Sequence, residues 1–156
     1  MVYNYLKLIH LLAVIMFLGN IITGLFWMHI AVKTKNLPII SHTMKGIIKS
    51  DQLFTIPGIV IITAGGIAAA VYGNLPLIRT GWILWGIILF SASGVAYGWK
   101  VGPLQRKIRD FSSQYDAVNF DWAKFKNLYT QWELWGLIAL LTPLAAAVMM
   151  VLKIPK

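Results

Sequence analysis

A few polar side chains inside long apolar runs are the places where this sequence could carry chemistry. The chain has 156 residues, of which 58% are hydrophobic and 12% are charged, so an ionisable group within an apolar run is costly and draws attention. His10 lies in the first run, five residues after Tyr5. Histidine in this setting can ligate haem, copper or zinc. We predict that His10 binds a cofactor, with a simple hydrogen bond to a neighbouring helix as the alternative.

Helical geometry selects the residues that could complete a site around His10. Lys7 and Gly24 share the face of the first helix that carries His10. Met149 and Met150 come near the end of the last apolar run. The first and fourth runs cross the membrane in opposite directions, so these methionines and His10 are expected at a similar depth. A histidine–methionine pair ligates haem or a soft copper ion. The pattern predicts a haem b site at His10, Lys7 and Met149, with apolar packing of methionine as the alternative.

A second set of ionisable residues stands where apolar runs begin or end. His29 closes the first run, Asp51 precedes the second and Glu133 opens the fourth. One histidine with two carboxylates can hold a divalent metal or relay protons. The alternative is a set of interfacial salt bridges, with Asp51 as the N-cap of a helix.

The elements that would position these residues are four apolar runs. They cover about residues 5–32, 54–72, 82–99 and 132–152, and about 20 apolar residues suffice for a helix to cross a bilayer. Tryptophan and tyrosine near the run ends form the expected interfacial belts. We predict an all-α protein, an integral membrane four-helix bundle formed by a single domain over residues 1–156. The absence of cysteine excludes disulfides and cysteine-ligated metals.

The basic residues predict an orientation. Ten of the 14 lysines and arginines lie in the first and third connecting segments, and the positive-inside rule places such segments in the cytoplasm. Both termini are then extracytoplasmic, in the inner membrane of a prokaryote. Nucleic-acid binding is the other interpretation of a basic chain. We expect no nucleic-acid partner, because anionic lipid headgroups already account for these charges.

The two basic segments are amphipathic. Apolar residues recur at helical spacing in both, with lysine and arginine between them: Ile40, Met44 and Ile47 in the first, and Leu104, Ile108, Phe111 and Tyr115 in the third. We predict that the spans continue as amphipathic cytoplasmic helix extensions whose apolar sides face each other or the headgroups. A surface that docks a partner is the alternative.

Small residues and one proline predict where helices touch. Glycines let helix backbones approach closely in lipid, and they recur at Gly58, Gly65 and Gly66 and in the pair Gly94 and Gly98. Pro143 lies in the middle of the last run. It should kink that helix and free the carbonyl of Ala139, which loses its amide partner.

Two stretches then resemble a known family. Residues 51–58 read DQLFTIPG and resemble the D-x-x-F-T-x-P-G signature of predicted bacterial integral membrane proteins classified as domain of unknown function 2269. The last run is similar to the same family at Trp132, Gly136 and Pro143. The resemblance covers essentially the whole chain and implies four membrane helices. It implies no particular activity.

A shorter resemblance concerns the first helix. Residues 7–10 read KLIH and precede Gly19, Trp27 and His29, which is similar to the first helix of CopD-like and HemJ-type four-helix membrane proteins. HemJ proteins oxidise protoporphyrinogen and bind haem, so the resemblance implies a porphyrin or metal near His10. The Pro-Arg pair of that group is replaced here by Phe26 and Trp27, so HemJ activity itself is not expected.

Two functions are compatible with these patterns. The first is a redox-linked membrane protein that binds haem or a metal through His10. The second is an accessory subunit of a larger membrane complex or a small transporter, without a cofactor, in which Gly94 and Gly98 seal a homo-oligomer. Whether the protein is an enzyme stays open. A hydrolase is disfavoured because no nucleophile elbow, P-loop, zinc-protease or dinucleotide fingerprint is present.

Overall fold

The computed structural model describes residues 1–113 and 119–156 and is helical almost throughout. Its α-helices are α1 (Val2–Lys33), α2 (Leu37–Ser50), α3 (Ile56–Tyr72), α4 (Gly81–Ala96), α5 (Gly102–Ser112) and α6 (Trp122–Leu152). These residues contain no β-strand. The predicted all-α fold is confirmed.

Two π-helical turns join these helices into longer rods. Residues Asp51–Thr55 connect α2 to α3, and residues Tyr97–Val101 connect α4 to α5. Together with α1 and α6 this gives four continuous helices that are long and apolar enough to cross a membrane. Each of the predicted spans lies inside one of them.

The prediction of Asp51 as a helix N-cap is wrong. Asp51 follows directly on α2 without a break in the helix, and it is the first residue of a π-helical turn. The α2 helix begins much earlier, where the Asn36 side chain accepts a hydrogen bond from the Ile39 amide and Pro38 occupies the first turn. The first basic segment thus belongs to a continuous 36-residue helix, Leu37–Tyr72.

The helices pack in two pairs that meet at one end. Along their length, α1 packs against α3, and α4 packs against α6. At the end where α1 and α5 finish and α2 and α6 start, here called the basic end, α2 packs against α5 and α5 against α6. The opposite end is called the far end.

The predicted amphipathic extensions are confirmed as helices with one buried side. Ile40, Met44 and Ile47 of α2 and Leu104 and Ile108 of α5 are all buried in the core of the basic end. Phe111 packs against the same core. The last member of the predicted stripe, Tyr115, lies outside the described residues. The cytoplasmic location of these helices stays a prediction.

Some of the predicted glycine contacts occur and others do not. A Cβ added at Gly58 would touch Phe17, and one added at Gly65 would touch His10, so both glycines lie at the α1–α3 contact. A Cβ added at Gly94 or Gly98 would meet no described atom within 4 Å. The Gly94 and Gly98 pair therefore faces away from the other helices of the chain.

Pro143 has the consequence that its position predicts. It lacks an amide hydrogen, so the carbonyl of Ala139, one turn earlier in α6, loses its helical partner. The hydroxyl of Ser93 in α4 donates to that carbonyl oxygen at 2.7 Å, and Ser93 is buried. A backbone gap in α6 is thus closed by a side chain from α4, which fixes the register of the two helices.

Candidate functional site

The side chain of Asp51 is the centre of a buried polar cluster. It is 5% exposed. Its Oδ1 accepts hydrogen bonds from Asn20 Nδ2 at 2.8 Å and from Thr55 Oγ1 at 2.7 Å, and its Oδ2 accepts from Gln105 Nε2 at 2.8 Å. Asn20 Nδ2 also donates to Thr55 Oγ1 at 2.9 Å. The carboxylate is therefore held by three neutral donors from three parts of the chain.

Both π-helical turns contribute to this cluster. Asp51 and Thr55 are the first and last residues of one turn, and Tyr97 starts the other. The Tyr97 side chain lies close enough to interact with the Asp51 carboxylate. A π-helical turn inserts one extra residue into a helix and redirects the side chains around it, and such turns are frequent at functional sites. Here the two irregular turns lie next to the same carboxylate.

The charge of Asp51 has no cationic neighbour within ion-pair distance among residues 1–113 and 119–156. Burying a charged group is costly unless hydrogen bonds or an opposite charge compensate for its lost hydration. Three hydrogen bonds supply part of that compensation. The Arg106 side chain lies close enough to interact electrostatically with Tyr97, which belongs to the same cluster.

A small cavity borders the cluster. Its volume is about 30 Å³, and Asp51, Asn20, Tyr97, Gln105 and Trp132 are among the residues that line it. This is enough room for a single water molecule or a small ion. The Trp132 side chain is 2% exposed, and its indole N–H has no hydrogen-bond partner within the described part of the chain. A buried donor without an acceptor costs about 1–3 kcal/mol.

A second polar group lies at the basic end. Tyr129 Oη donates to Glu133 Oε1 at 2.8 Å, and His29 Nδ1 lies 3.4 Å from the same hydroxyl and 3.7 Å from Glu133 Oε1. The His29 and Glu133 side chains are both partly exposed. These three residues form the basic-end triad. It borders an open groove that Lys35 and Lys126 also line.

The predicted metal cluster of His29, Asp51 and Glu133 does not form. The described residues contain no group of three histidine, cysteine, aspartate or glutamate side chains that could hold a metal ion. His29 and Glu133 do meet, but Asp51 binds Asn20, Thr55 and Gln105 instead. The prediction assumed that Asp51 started a helix at the membrane surface, whereas its place inside a continuous helix turns it toward the bundle interior.

His10 makes the hydrogen bond that its alternative interpretation requires. Its Nδ1 lies 2.9 Å from the carbonyl oxygen of Ile62 on α3. A carbonyl only accepts, so Nδ1 carries a proton and donates to it. A Cβ added at Gly66 would lie 3.0 Å from His10 Cε1, so the imidazole packs directly over this glycine. Lys7 is exposed one turn earlier on α1.

The methionines at the end of α6 have other neighbours. Met150 packs against Gly86 of α4, where an added Cβ would overlap its side chain. Met149 is partly exposed, and its carbonyl accepts from the Ile154 amide beyond the helix end. The contacts of His10 are with α3 and those of Met150 are with α4. The ligand roles predicted for His10 and Met149 stay predictions.

Sequence reasoning missed most of the Asp51 cluster. Asn20 was visible only as a polar interruption of the first run, and Gln105 as one polar residue in a basic segment. Thr55 had a usable signal, since threonine four residues after aspartate shares its face of a helix. Tyr97 was interpreted as an interfacial residue. No sequence pattern predicts the π-helical turns that bring Asp51 and Tyr97 together.

Four apolar helices that can cross a bilayer, with a buried carboxylate between them, define an integral membrane protein. Residues 4–154 match a family model described as predicted integral membrane protein (DUF2269), and the chain belongs to this family. The predicted resemblance is confirmed over nearly the whole chain. No curated protein and no solved structure matches it.

Proposed function

We propose that this protein is a small transporter of protons or of a monovalent cation, and that Asp51 is the carboxylate that binds the transported ion. The observation that carries the proposal is the buried Asp51 cluster, an acidic group held only by neutral donors inside a membrane bundle. Ionisable side chains in such a place are expensive and usually serve an ion pathway.

The chemistry of the site suits reversible binding of a positive charge. When a proton adds to Asp51 Oδ2, the carboxylate becomes neutral and can donate a hydrogen bond. The Gln105 side chain, which donates to that oxygen at 2.8 Å, can then rotate its amide and accept instead. When the proton leaves, the three original hydrogen bonds stabilise the anion again. The cluster can therefore accommodate both states with local side-chain rotations.

A monovalent cation can bind the same side chains once Asn20 and Gln105 rotate their amides, because their Nδ2 and Nε2 atoms now face Asp51. The amide oxygens of Asn20 and Gln105 and the carboxylate of Asp51 are hard oxygen ligands, which suit alkali cations better than soft metals. The cavity beside them holds one small ion at most. Competition between protons and sodium for one carboxylate follows from this arrangement.

The test is ion uptake into proteoliposomes that contain the purified protein. A pH-sensitive dye reports protons and a sodium-sensitive dye reports sodium, under a potential set by potassium and valinomycin. We expect uptake by the wild type and at least a tenfold loss in Asp51→Asn. Asp110→Asn is the matched control because it makes the same change at an exposed carboxylate. Uptake at the empty-liposome level by the wild type, or full activity in Asp51→Asn, would contradict the proposal.

We place the basic end in the cytoplasm of a prokaryotic cell, with the protein in the inner membrane. The support is the concentration of lysine and arginine in the segments at that end. Protease treatment of the wild type, or thiol labelling of Lys33→Cys, in oriented membrane vesicles tests this orientation, because the chain has no cysteine of its own.

Haem or metal binding at His10 is the second candidate function, and one contact favours it. Histidines that bind metals commonly donate their other ring N–H to a backbone carbonyl, and His10 Nδ1 has such a contact with Ile62. Nε2 would then hold the iron of a haem b, with Met149 as the second ligand and Lys7 close to a haem carboxylate. When bound, haem would supply one-electron redox chemistry.

Absorption spectra of the detergent-purified protein test this second candidate. A Soret band that sharpens with dithionite and disappears in His10→Gln would establish haem binding. His42→Gln is the matched control, since His42 is exposed on α2. A protein that is colourless, metal-free and unresponsive to added haemin would exclude a cofactor at His10.

A further inference from the structure

We propose that Asp51 exchanges its ion with water from the basic end only, along a path past Trp132, and that a plug of apolar side chains seals it from the far end. This inference rests on the proposed function, because it names the side of the protein from which the transported ion reaches Asp51. The access path itself is a property of the fold that can be measured without transport.

The cavity beside Asp51 extends toward the basic end on α1 and α2. On α1, Gly24 and Leu25 line it, and both come after Asn20 in the direction in which α1 reaches the basic end. On α2, Ile47 lines it one turn before Asp51, and α2 starts at the basic end.

The cavity is also lined by residues of the rod formed by α4 and α5 and of α6. Val101 and Gln105 line the cavity and follow Tyr97 toward the basic end, where α5 finishes. On α6, Trp132 and Gly136 line it and belong to the half of the helix that starts at the basic end. Three of the four rods thus place the open space on the basic-end side of the carboxylate, and on α6 the lining continues to Ala139, whose carbonyl accepts from Ser93.

The far side of Asp51 is closed by packed apolar side chains. Phe17 lies one turn from Asn20 in the opposite direction and is 3% exposed. Its Cβ packs against Gly58, and its ring lies 5.6 Å from that of Phe90. Ala13 and Ile62 are buried in the same cluster. This set, which we call the Phe17 plug, leaves no polar side chain between the carboxylate and His10 on α1.

Polar groups continue from the cavity to the surface at the basic end. Trp132 lines the cavity at the inner end, and its buried indole N–H has no protein acceptor among the described residues. Tyr129 contacts the Trp132 ring at a centroid distance of 6.2 Å and hydrogen-bonds Glu133, which is partly exposed beside His29. Trp132 and Tyr129 mark the route that we propose for water between this surface and Asp51, through the packed core of the basic end.

Single cysteines measure this access directly, because the chain has none of its own. Gly24 lines the cavity and Gly58 lies in the Phe17 plug. A Cβ at either position meets only ordinary contacts, at 3.6 Å from Ile47 and 3.5 Å from Phe17, so Gly24→Cys and Gly58→Cys are a matched pair. The probe is the silver ion, which is small enough for the cavity and replaces the thiol proton to form a sulfur–silver bond.

In the experiment, each variant is reconstituted into liposomes, and silver is added to one face while a thiol scavenger protects the other. Lys33→Cys, exposed at the end of α1, reports which face is the basic end. The unmodified thiol is counted with a fluorescent maleimide after denaturation. We expect Gly24→Cys to react at least tenfold faster from the basic end than from the far end, and at least tenfold faster than Gly58→Cys from either face.

Three results would overturn the inference: equal reaction of Gly24→Cys from both faces, faster reaction from the far end, or Gly58→Cys as reactive as Gly24→Cys. Ile21→Cys, also on the cavity wall, replaces Gly24→Cys if that variant does not fold. Failure of the proposed function is a separate result, since it appears as absence of ion uptake while the cysteine pattern is unchanged.

Discussion

Both halves of the bundle bury apolar side chains, but they place their polar groups differently. In the half toward the basic end, Asp51 accepts hydrogen bonds from α1, from α5 and from its own π-helical turn, beside a cavity. Toward the far end, Phe17 and Phe90 fill the interior, and the polar side chain of His10 is tied to a backbone carbonyl. The difference comes from a handful of polar side chains and two π-helical turns, not from overall composition.

Irregular helix geometry occurs in the half of the bundle that holds the Asp51 cluster. Both π-helical turns, Asp51–Thr55 and Tyr97–Val101, lie at the Asp51 level, and the plug level is regular α-helix on α3 and α4. An extra residue in a turn rotates all later side chains relative to the earlier ones. A helix can thereby turn a polar residue inward in one half and keep its apolar face against the neighbour in the other.

The largest effect is expected from opening the apolar half. Phe17→Ala removes a buried aromatic ring and should lower the free energy of unfolding by about 4 kcal/mol. It should also let silver reach Gly58→Cys at least tenfold faster, because the ring covers that position. Reversible SDS titration in detergent micelles measures the first effect.

Phe26→Ala is the control for this prediction, since Phe26 is an exposed residue of the same helix. Its unfolding free energy should stay within about 1 kcal/mol of wild type. If Phe17→Ala were equally mild and Gly58→Cys stayed protected, Phe17 would not be the seal.

A slightly smaller effect is expected in the polar half. Asp51→Leu leaves the donors of Thr55 and Gln105 without their acceptor and removes one of the two acceptors of Asn20, so it should cost on the order of 3 kcal/mol. The same SDS titration measures it. Asp110→Leu should be nearly neutral, because an exposed ion pair contributes little. A stable Asp51→Leu variant would show that the carboxylate does not organise its half of the bundle.

Between the halves, the hydrogen bond from Ser93 to α6 should contribute about 1 kcal/mol to the free energy of unfolding. Ser93→Ala leaves the Ala139 carbonyl unpaired, whereas Pro143→Ala restores an amide hydrogen that pairs with the same oxygen. The two substitutions should therefore be coupled by about 1 kcal/mol in a double-mutant cycle of unfolding free energies. Additive effects would mean that Ser93 acts through packing alone, and Ser91→Ala serves as the exposed control.

The smallest effect concerns the outer surface. Gly94→Ala adds a methyl group where no described atom lies within 4 Å, so removing a helical glycine should stabilise the protein by about 0.5–1 kcal/mol. The predicted homo-oligomer through Gly94 and Gly98 requires the opposite sign, because the methyl group would separate two packed helices. Unfolding measurements and analytical ultracentrifugation of Gly94→Ala distinguish the two outcomes.

The sequence predicted the fold better than the site. Apolar run length determines whether a helix can cross the bilayer, so the four spans and the helical extensions follow from local composition. The free carbonyl of Ala139 was also predictable, since it depends only on Pro143 four residues later. These features share one property, which is that the residues responsible are neighbours along the chain.

The Asp51 cluster depends on long-range geometry. Asn20 and Gln105 lie 31 and 54 residues from Asp51, and no local pattern fixes which helices become neighbours. The prediction for Asp51 failed because a polar residue before an apolar run resembles a helix start. Only the π-helical turn, which depends on the packed structure, reveals the inward orientation of Asp51.

The origin of the three donors to Asp51 has a consequence for biosynthesis. The chain emerges from the ribosome with α1 first, so Asn20 is already in the bilayer when the second rod brings in the charged aspartate, whose insertion is costly. Thr55 arrives with Asp51 itself, and Gln105 follows only with the third rod. The carboxylate thus gains its hydrogen-bond partners in the order of translation. The first helix supplies the first of them, Asn20, before the second rod enters the bilayer.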